Sequence, residues 1–177
     1  MCCKVIRIVE LEKPVGVWCQ HAKPGRGCGI YADRPTPCQA FECVWLNEPE
    51  TPEALKPERT KVVLASNGTK LIAHCDPADP TAWRREPMYS FLKRQAWPGA
   101  GASRPVLVVV GRRIWLITPD ADHDLGEVDG TRSFRVEPGL DGKPALRLIH
   151  EAEARLGGGP SAQAPQAAAV QRPRRAG

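Results

Sequence analysis

The chain has 177 residues, a formal net charge of +5, and 42% hydrophobic and 25% charged residues, ordinary values for a soluble chain of one domain with or without a small appended module. Its longest strongly apolar run, Val106 to Val110, is far short of the ~20 residues that span a bilayer, and no apolar stretch after Met1 reads as a secretory leader; no membrane is expected, and a cytoplasmic setting is. The positive charge is mild and partly carried by the tail residues Arg172, Arg174 and Arg175, so nucleic acid is an unlikely partner.

In chain order, residues 1–46 hold six of the seven cysteines and little helical periodicity, and read as a cysteine-rich metal-binding module. Residues 47–59, "NEPETPEALKPER", carry three prolines and read as a connecting loop. The pattern then turns to β over residues 60–156, expected to form one compact unit with the module. In "TKVVLASNGTKLIAHC" the Asn67-Gly68 pair stands between two apolar runs, a hairpin signal because both residues tolerate positive φ. Pro87 then opens a helix near 87–96 with Met88, Phe91 and Leu92 on one face, stopped by Trp97-Pro98-Gly99. "PVLVVVGRRIWLI" predicts a second pair of strands about Gly111-Arg112, and "RSFRVEPGLDGKPALRLIH" a third. Residues 157–177 have almost nothing to bury and read as a disordered tail.

The cysteines dominate the chemistry. Cys2, Cys3, Cys19, Cys28, Cys38 and Cys43 fall within 43 residues, and Cys75 stands apart. In a reducing compartment such density points to metal ligation or redox chemistry before structural disulfides. No C-x2-C occurs, so the six would reach a metal from separate loops. Gly25, Gly27 and Gly29 around Cys28 let backbone N–H groups approach a sulfur, and Lys23, Arg26 and Arg34 favour thiolate over thiol. Neighbouring Cys2 and Cys3 diverge, so one of them is expected on a given metal atom. Cys38 and Cys43, five apart, would point about 140° apart on a continuous helix, and His21 is a substitute ligand. All-thiolate sites suit zinc and iron–sulfur alike. Buried thiols and redox disulfides are the competing readings.

From Trp18 to Leu46 the chain reads "WCQHAKPGRGCGIYADRPTPCQAFECVWL". The run Cys28, Ile30, Tyr31, Arg34, Pro35, Cys38, Phe41, Cys43, Trp45 and Leu46 resembles the YkgJ-like cysteine-cluster (CxxCxxCC) family of zinc- or iron-chelating domains. Cys2, Cys3 and Lys4 resemble the end of that family's opening C-x-x-C-C motif. The resemblance implies a further upstream cysteine and a start before Met1, and an iron–sulfur role in electron transfer or an enzyme system, since similar modules occur in flagellin lysine methylases.

Other candidates read more plainly. Cys75 shares a strand face with Leu71 and Ala73 and is a core thiol, while His74 points the other way as a surface imidazole. "DADHDLGEVDG" from Asp120 has Leu125 and Thr131 where a calcium loop needs glycine and glutamate, and reads as a solvated turn. Trp18 and Trp45 are placed to exclude water from a cluster or simply to pack. The expectation is an α+β protein: a small cysteine-rich metal module packed on antiparallel β-hairpins with one short helix. Its function is to hold an iron–sulfur cluster or zinc, with a redox or accessory role. The alternative is a structural zinc module of a non-enzymatic interaction domain with an unknown protein partner. No catalytic constellation is visible.

Overall fold

The apolar run Val106–Val110 must be covered on both faces, and the computed structural model of the chain places it at the centre of a five-stranded sheet. The structure describes residues 1–23, 25–41, 43–66, 70–96 and 105–128, together with the strand backbones of 133–138 and 144–149. In order the elements are α1 (Cys2–Val5), β1 (Ala22–Lys23), β2 (Gly27–Cys28), α2 (Thr36–Ala40), α3 (Val44–Asn47), α4 (Pro57–Thr60), β3 (Val62–Ser66), β4 (Leu71–Cys75), α5 (Met88–Gln95), β5 (Val106–Val110), β6 (Arg113–Ile117), β7 (Asp122–Glu127), β8 (Ser133–Pro138) and β9 (Pro144–Ile149). Short 3-10 turns occupy Val9–Leu11, Glu53–Leu55 and Ala82–Arg84. Among the described residues no helix is long and apolar enough to cross a membrane.

The main sheet runs β3-β4-β5-β6-β7. β3 and β4 pair antiparallel from Val62↔Cys75 to Ser66↔Leu71. β4 and β5 pair parallel, Leu71 opposite Val106. Parallel neighbours need a crossover of a dozen or more residues, and α5 lies within it. β5 and β6 close antiparallel through Gly111-Arg112, where Gly111 takes φ +61, the positive value a two-residue turn needs at its first position. β8 and β9 form the third pair, Ser133 opposite Ile149. The Asn67-Gly68 turn, the Trp97-Pro98-Gly99 helix stop and the 157–177 tail lie outside the described residues.

Alternation along the strands builds a core on each face. Val62, Leu64, Leu71, Ala73, Cys75, Val106, Val108, Val110 and Ile117 face Trp83, Met88 and Leu92, with Val44 and Leu55 joining them. On the opposite face Val63 meets Val5, Cys43 and Trp45, while Leu107, Ile114 and Leu116 form a separate cluster. Cys43 also makes an antiparallel bridge with Ala65, so part of the β3 edge is occupied by the N-terminal segment rather than left open to another strand.

Three expectations are corrected. Instead of one short helix on antiparallel hairpins, the structure has five α-helical segments among the described residues, of which α5 has eight residues, and a mixed sheet. Prolines explain several of the extra turns, since Pro37 and Pro57 sit at the starts of α2 and α4 where their fixed φ suits a helix and a missing N–H costs nothing. The metal module of the expected architecture is not what the N-terminal segment forms, as its thiols show below. The stretch expected as a solvated turn contains β7. Asp124 there pairs with Arg113 on β6, with Nε–Oδ2 at 3.0 Å and Nη2–Oδ2 at 2.5 Å, and a register shift between Ile114 and Trp115 is matched by Gly126 at φ +82, the conformation of a glycine bulge.

Leu92 is completely buried under the sheet and Leu46 is 68% exposed. Leu92→Ala should therefore lower the unfolding free energy by about 3 kcal/mol, and Leu46→Ala by less than about 0.5 kcal/mol. Urea denaturation followed by tryptophan fluorescence measures both; equal losses would contradict the packing of α5.

Candidate functional site

Cys2 and Cys3 open α1, and the chain returns to clasp that helix. The Cys19 N–H donates to the Cys3 carbonyl at 2.9 Å and the Gly16 N–H to the Lys4 carbonyl at 2.9 Å. Lys13 reaches in from the same loop. Its ammonium donates to the Lys4 carbonyl at 2.6 Å and to the Ile6 carbonyl, and the residue is only 5% exposed. A backbone bridge between Ile8 and Lys13 and left-handed backbone at Glu12, φ 49, turn the chain so that the side chain points inward.

Cys28 lies on the two-residue strand β2, opposite Ala22 of β1, and Cys38 lies on α2. Cys43 precedes α3 and packs with Val5, Trp45 and Val63, where its thiol behaves as a small hydrophobe. All seven cysteines are free thiols; Cys19, Cys43 and Cys75 are buried, and Cys2, Cys3, Cys28 and Cys38 are partly accessible. Cys75 points into the opposite core, as its strand face predicted.

The closest relation among these thiols is between Cys2 and Cys3, whose sulfurs lie 4.0 Å apart in hydrogen-bond contact. The Cys3 thiol donating to Cys2 favours the Cys2 thiolate and holds its pKa down to about 6, against the opposing effect of burial. Cys3 is pushed far up by the same bond and by burial, and stays protonated. Burial raises Cys38, and charge at Cys19, Cys2 and Cys28 raises it further while Arg34 opposes. Burial likewise raises Cys43.

Feeling one another's charge is not the same as converging on an ion. Among the described residues no group of three or more Cys, His, Asp or Glu side chains could hold a metal ion. The iron–sulfur or zinc cofactor expected of Cys2, Cys3, Cys19, Cys28, Cys38 and Cys43 is corrected on this ground, together with the metal-binding function and its structural-zinc alternative. The physical reason is visible in the elements. A zinc site takes four donors at about 2.3 Å from sulfur, whereas here one pair is in contact and Cys43 is committed to an apolar cluster. Among the described residues, His21 has Gln20 at 3.4 Å as its side-chain neighbour in hydrogen-bond range. Trp18, expected to exclude water or to pack, is 54% exposed, while Trp45 is buried.

Two polar features anchor the segment to the sheet. Lys4 donates to Asp76 at the end of β4 with Nζ–Oδ2 at 2.5 Å, and Asp76 is 4% exposed. Burial alone would push the Asp76 carboxyl up, but the hydrogen bonds from Lys4 and the Ala78 N–H, with the charges of Lys4 and Lys61, bring it below its ordinary value. His74, expected on the surface, is half-buried, with the Phe41 ring edge-on at 6.3 Å, and burial lowers its pKa to about 4. Sequence reasoning missed the inward turn of Lys13 and the pairing of Asp76 with Lys4, because nothing in local periodicity distinguishes a buried lysine or aspartate from a solvated one.

No family model matches the chain, and no curated protein and no solved structure matches it. The resemblance of residues 18–46 to the YkgJ-like family is corrected accordingly: the spaced cysteines and aromatics occur here without a family match and, among the described residues, without a ligand set.

His74 has its pKa lowered from 6.5 to about 4. Above pH 6.5 it is neutral in both folded and unfolded chains; below, the unfolded chain takes up a proton that the folded chain refuses until about pH 4, so stability is lost as pH falls through this window. The melting temperature should therefore decline between pH 6.5 and 4, and less steeply in His74→Gln. Parallel declines in the two proteins would place the acid sensitivity elsewhere.

Proposed function

We propose that the N-terminal segment is a thiol–disulfide exchange centre in which Cys2 is the attacking thiolate and Cys3 the thiol that stabilises it. The observation that carries this reading is the 4.0 Å contact between the two sulfurs at the start of α1. Further support comes from their partial accessibility and from the opposite directions in which their common hydrogen bond moves them. In the forward step the Cys2 thiolate attacks one sulfur of a disulfide R–S–S–R. An S–S bond forms between Cys2 and the attacked sulfur, the S–S bond of R–S–S–R breaks, and the other half leaves as R–S⁻, which takes a proton from water. A second thiolate attacking the mixed disulfide returns Cys2 to its thiolate form.

Magnitudes indicate which half of this cycle gains most. At pH 7 a thiol of pKa about 6 is roughly 90% thiolate, against roughly 1% at the ordinary value of 9.0. Intrinsic nucleophilicity falls by about 0.45 log units per pKa unit, roughly 20-fold over the same interval, so the net gain in attack is only about 4-fold. A low pKa also makes Cys2 a better leaving group when the mixed disulfide is attacked. The chemistry favours a bond made and broken repeatedly over a permanent cross-link. Such a centre belongs in a reducing compartment such as the cytoplasm, where a supply of thiol completes the cycle.

A protein-borne disulfide is a second form of the substrate, favoured by one observation. Among the described residues, the exposed large hydrophobic ones, Val9, Val17, Trp18, Tyr31 and Leu46, belong to this same N-terminal stretch of the chain, and exposed apolar side chains suit contact with a partner.

Alkylation by iodoacetamide, followed residue by residue with peptide mapping, tests the reading. The Cys2 rate should rise with pH to a plateau with its midpoint near pH 6, where the thiolate form takes over, and Cys3→Ala should move that midpoint upward. An ordinary thiol midpoint for Cys2, or one unmoved by Cys3→Ala, would overturn the proposal.

A further inference from the structure

Cys2 and Cys3 are consecutive, and covalent geometry limits how two consecutive cysteines can bond. Neighbouring Cα atoms stand about 3.8 Å apart across a trans peptide, closer than the roughly 4.4–6.8 Å that ordinary disulfides span. On a helix their side chains also leave about 100° apart, and cysteines whose side chains diverge cannot be bridged without backbone movement. In α1 the two sulfurs are in contact at 4.0 Å and must come about 2 Å nearer to bond. The peptide that has to turn is the one between them. Its carbonyl, that of Cys2, accepts the Ile6 N–H at 3.1 Å and so closes the end of α1.

We propose that α1 is a redox latch: Cys3 resolves the mixed disulfide on Cys2 by closing a Cys2–Cys3 disulfide, and closure unwinds α1 and frees it from the sheet. This role for Cys3 rests on the exchange reading above. The Cys3 thiol loses its proton, and its thiolate attacks the Cys2 sulfur of the mixed disulfide. The Cys2–Cys3 bond forms, the S–S bond to the R half breaks, and R–S⁻ leaves and takes up a proton. Over both steps two cysteine thiols are oxidised by two electrons, and one disulfide R–S–S–R is reduced to two R–SH. Added thiol runs the sequence backwards. Closure is the slower step, because α1 must open before the sulfurs can bond, so capture by Cys2 comes first.

The contacts that α1 carries turn this local change into release. Lys4, next to the pair, donates to Asp76 at the end of β4 with Nζ–Oδ2 at 2.5 Å, and Asp76 is 4% exposed. Val5 is 3% exposed and packs in one cluster with Val63 of β3. The Cys3 and Lys4 carbonyls receive the Cys19 and Gly16 N–H groups, each at 2.9 Å. Each of these contacts needs the backbone of α1 in place. A buried carboxylate stripped of its cation is strongly destabilising, so the loss of Lys4 loosens the packing at Asp76 as well.

Glutathione disulfide added to the full chain tests the latch. Trypsin cuts after Lys4, so one peptide, residues 1–4, holds both thiols and reports their state by mass once free thiols are blocked with N-ethylmaleimide. That peptide should first carry one glutathione and then lose it, ending with neither glutathione nor blocking reagent. In Cys3→Ser the glutathione should stay on Cys2. As the disulfide closes, amide exchange followed by NMR should quicken at least about tenfold at Ile6, Gly16 and Cys19, whose hydrogen bonds fix α1. Exchange at Val108 in the central strand should not change. A glutathione that remains on Cys2, a disulfide from Cys2 to any other cysteine, or a closed pair with unchanged exchange at Ile6 overturns the latch and leaves the exchange reading standing. A Cys2 that takes up no glutathione removes the exchange reading, and the latch with it.

Discussion

A sheet whose central strand reads Val-Leu-Val-Val-Val has no face it can leave to water, and this constraint organises the described structure. One face is covered by α5 and the turn carrying Trp83, delivered there by the crossover that parallel pairing of β4 and β5 requires. At the β3 end the other face is covered by the N-terminal segment, through Val5, Cys43 and Trp45 around Val63. The cysteine-rich segment is thus part of how the sheet is buried. Lys4–Asp76 and the Phe41–His74 contact fix it at neighbouring points. The thiol site inherits its geometry from that docking.

The consequence for chemistry is a division among the cysteines. Cys43 and Cys75 are spent on the two cores and behave as small apolar groups. Cys2 and Cys3 sit at the start of α1 with their sulfurs in contact, on a helix held by hydrogen bonds from Lys13, Gly16 and Cys19. The shared S–H bond and the N-terminal ammonium act in the same direction on Cys2. This arrangement provides a stabilised thiolate from the chain's own residues.

Much of the fold was legible because it is written locally. The β-branched runs flanking Gly111 gave the β5–β6 hairpin, the two runs ending at Ser66 and beginning at Leu71 gave β3 and β4, and the Met88–Leu92 spacing gave α5. What was not legible depends on partners distant in sequence. Nothing within β4 or β5 announces that they lie side by side and parallel. β7 is acidic and poor in strand formers, and it is a strand because Arg113 pairs with Asp124 and Gly126 admits the bulge. The candidate site was legible as a density of thiols and illegible as an arrangement. Spacing cannot tell sulfurs that converge on an ion from sulfurs that meet in a pair, and it gives no sign that Lys13 turns inward to the α1 carbonyls instead of outward to solvent.

The most direct measurement of the central claim is equilibration of the full chain in mixtures of glutathione and glutathione disulfide, with acid quenching and mapping of every mixed disulfide by mass spectrometry. The account predicts that the adduct appears first and to the greatest extent on Cys2, disappears when excess thiol is added, and leaves Cys43 and Cys75 free. Adducts distributed by accessibility alone over Cys2, Cys3, Cys28 and Cys38, or a Cys2 that remains unmodified, would contradict it.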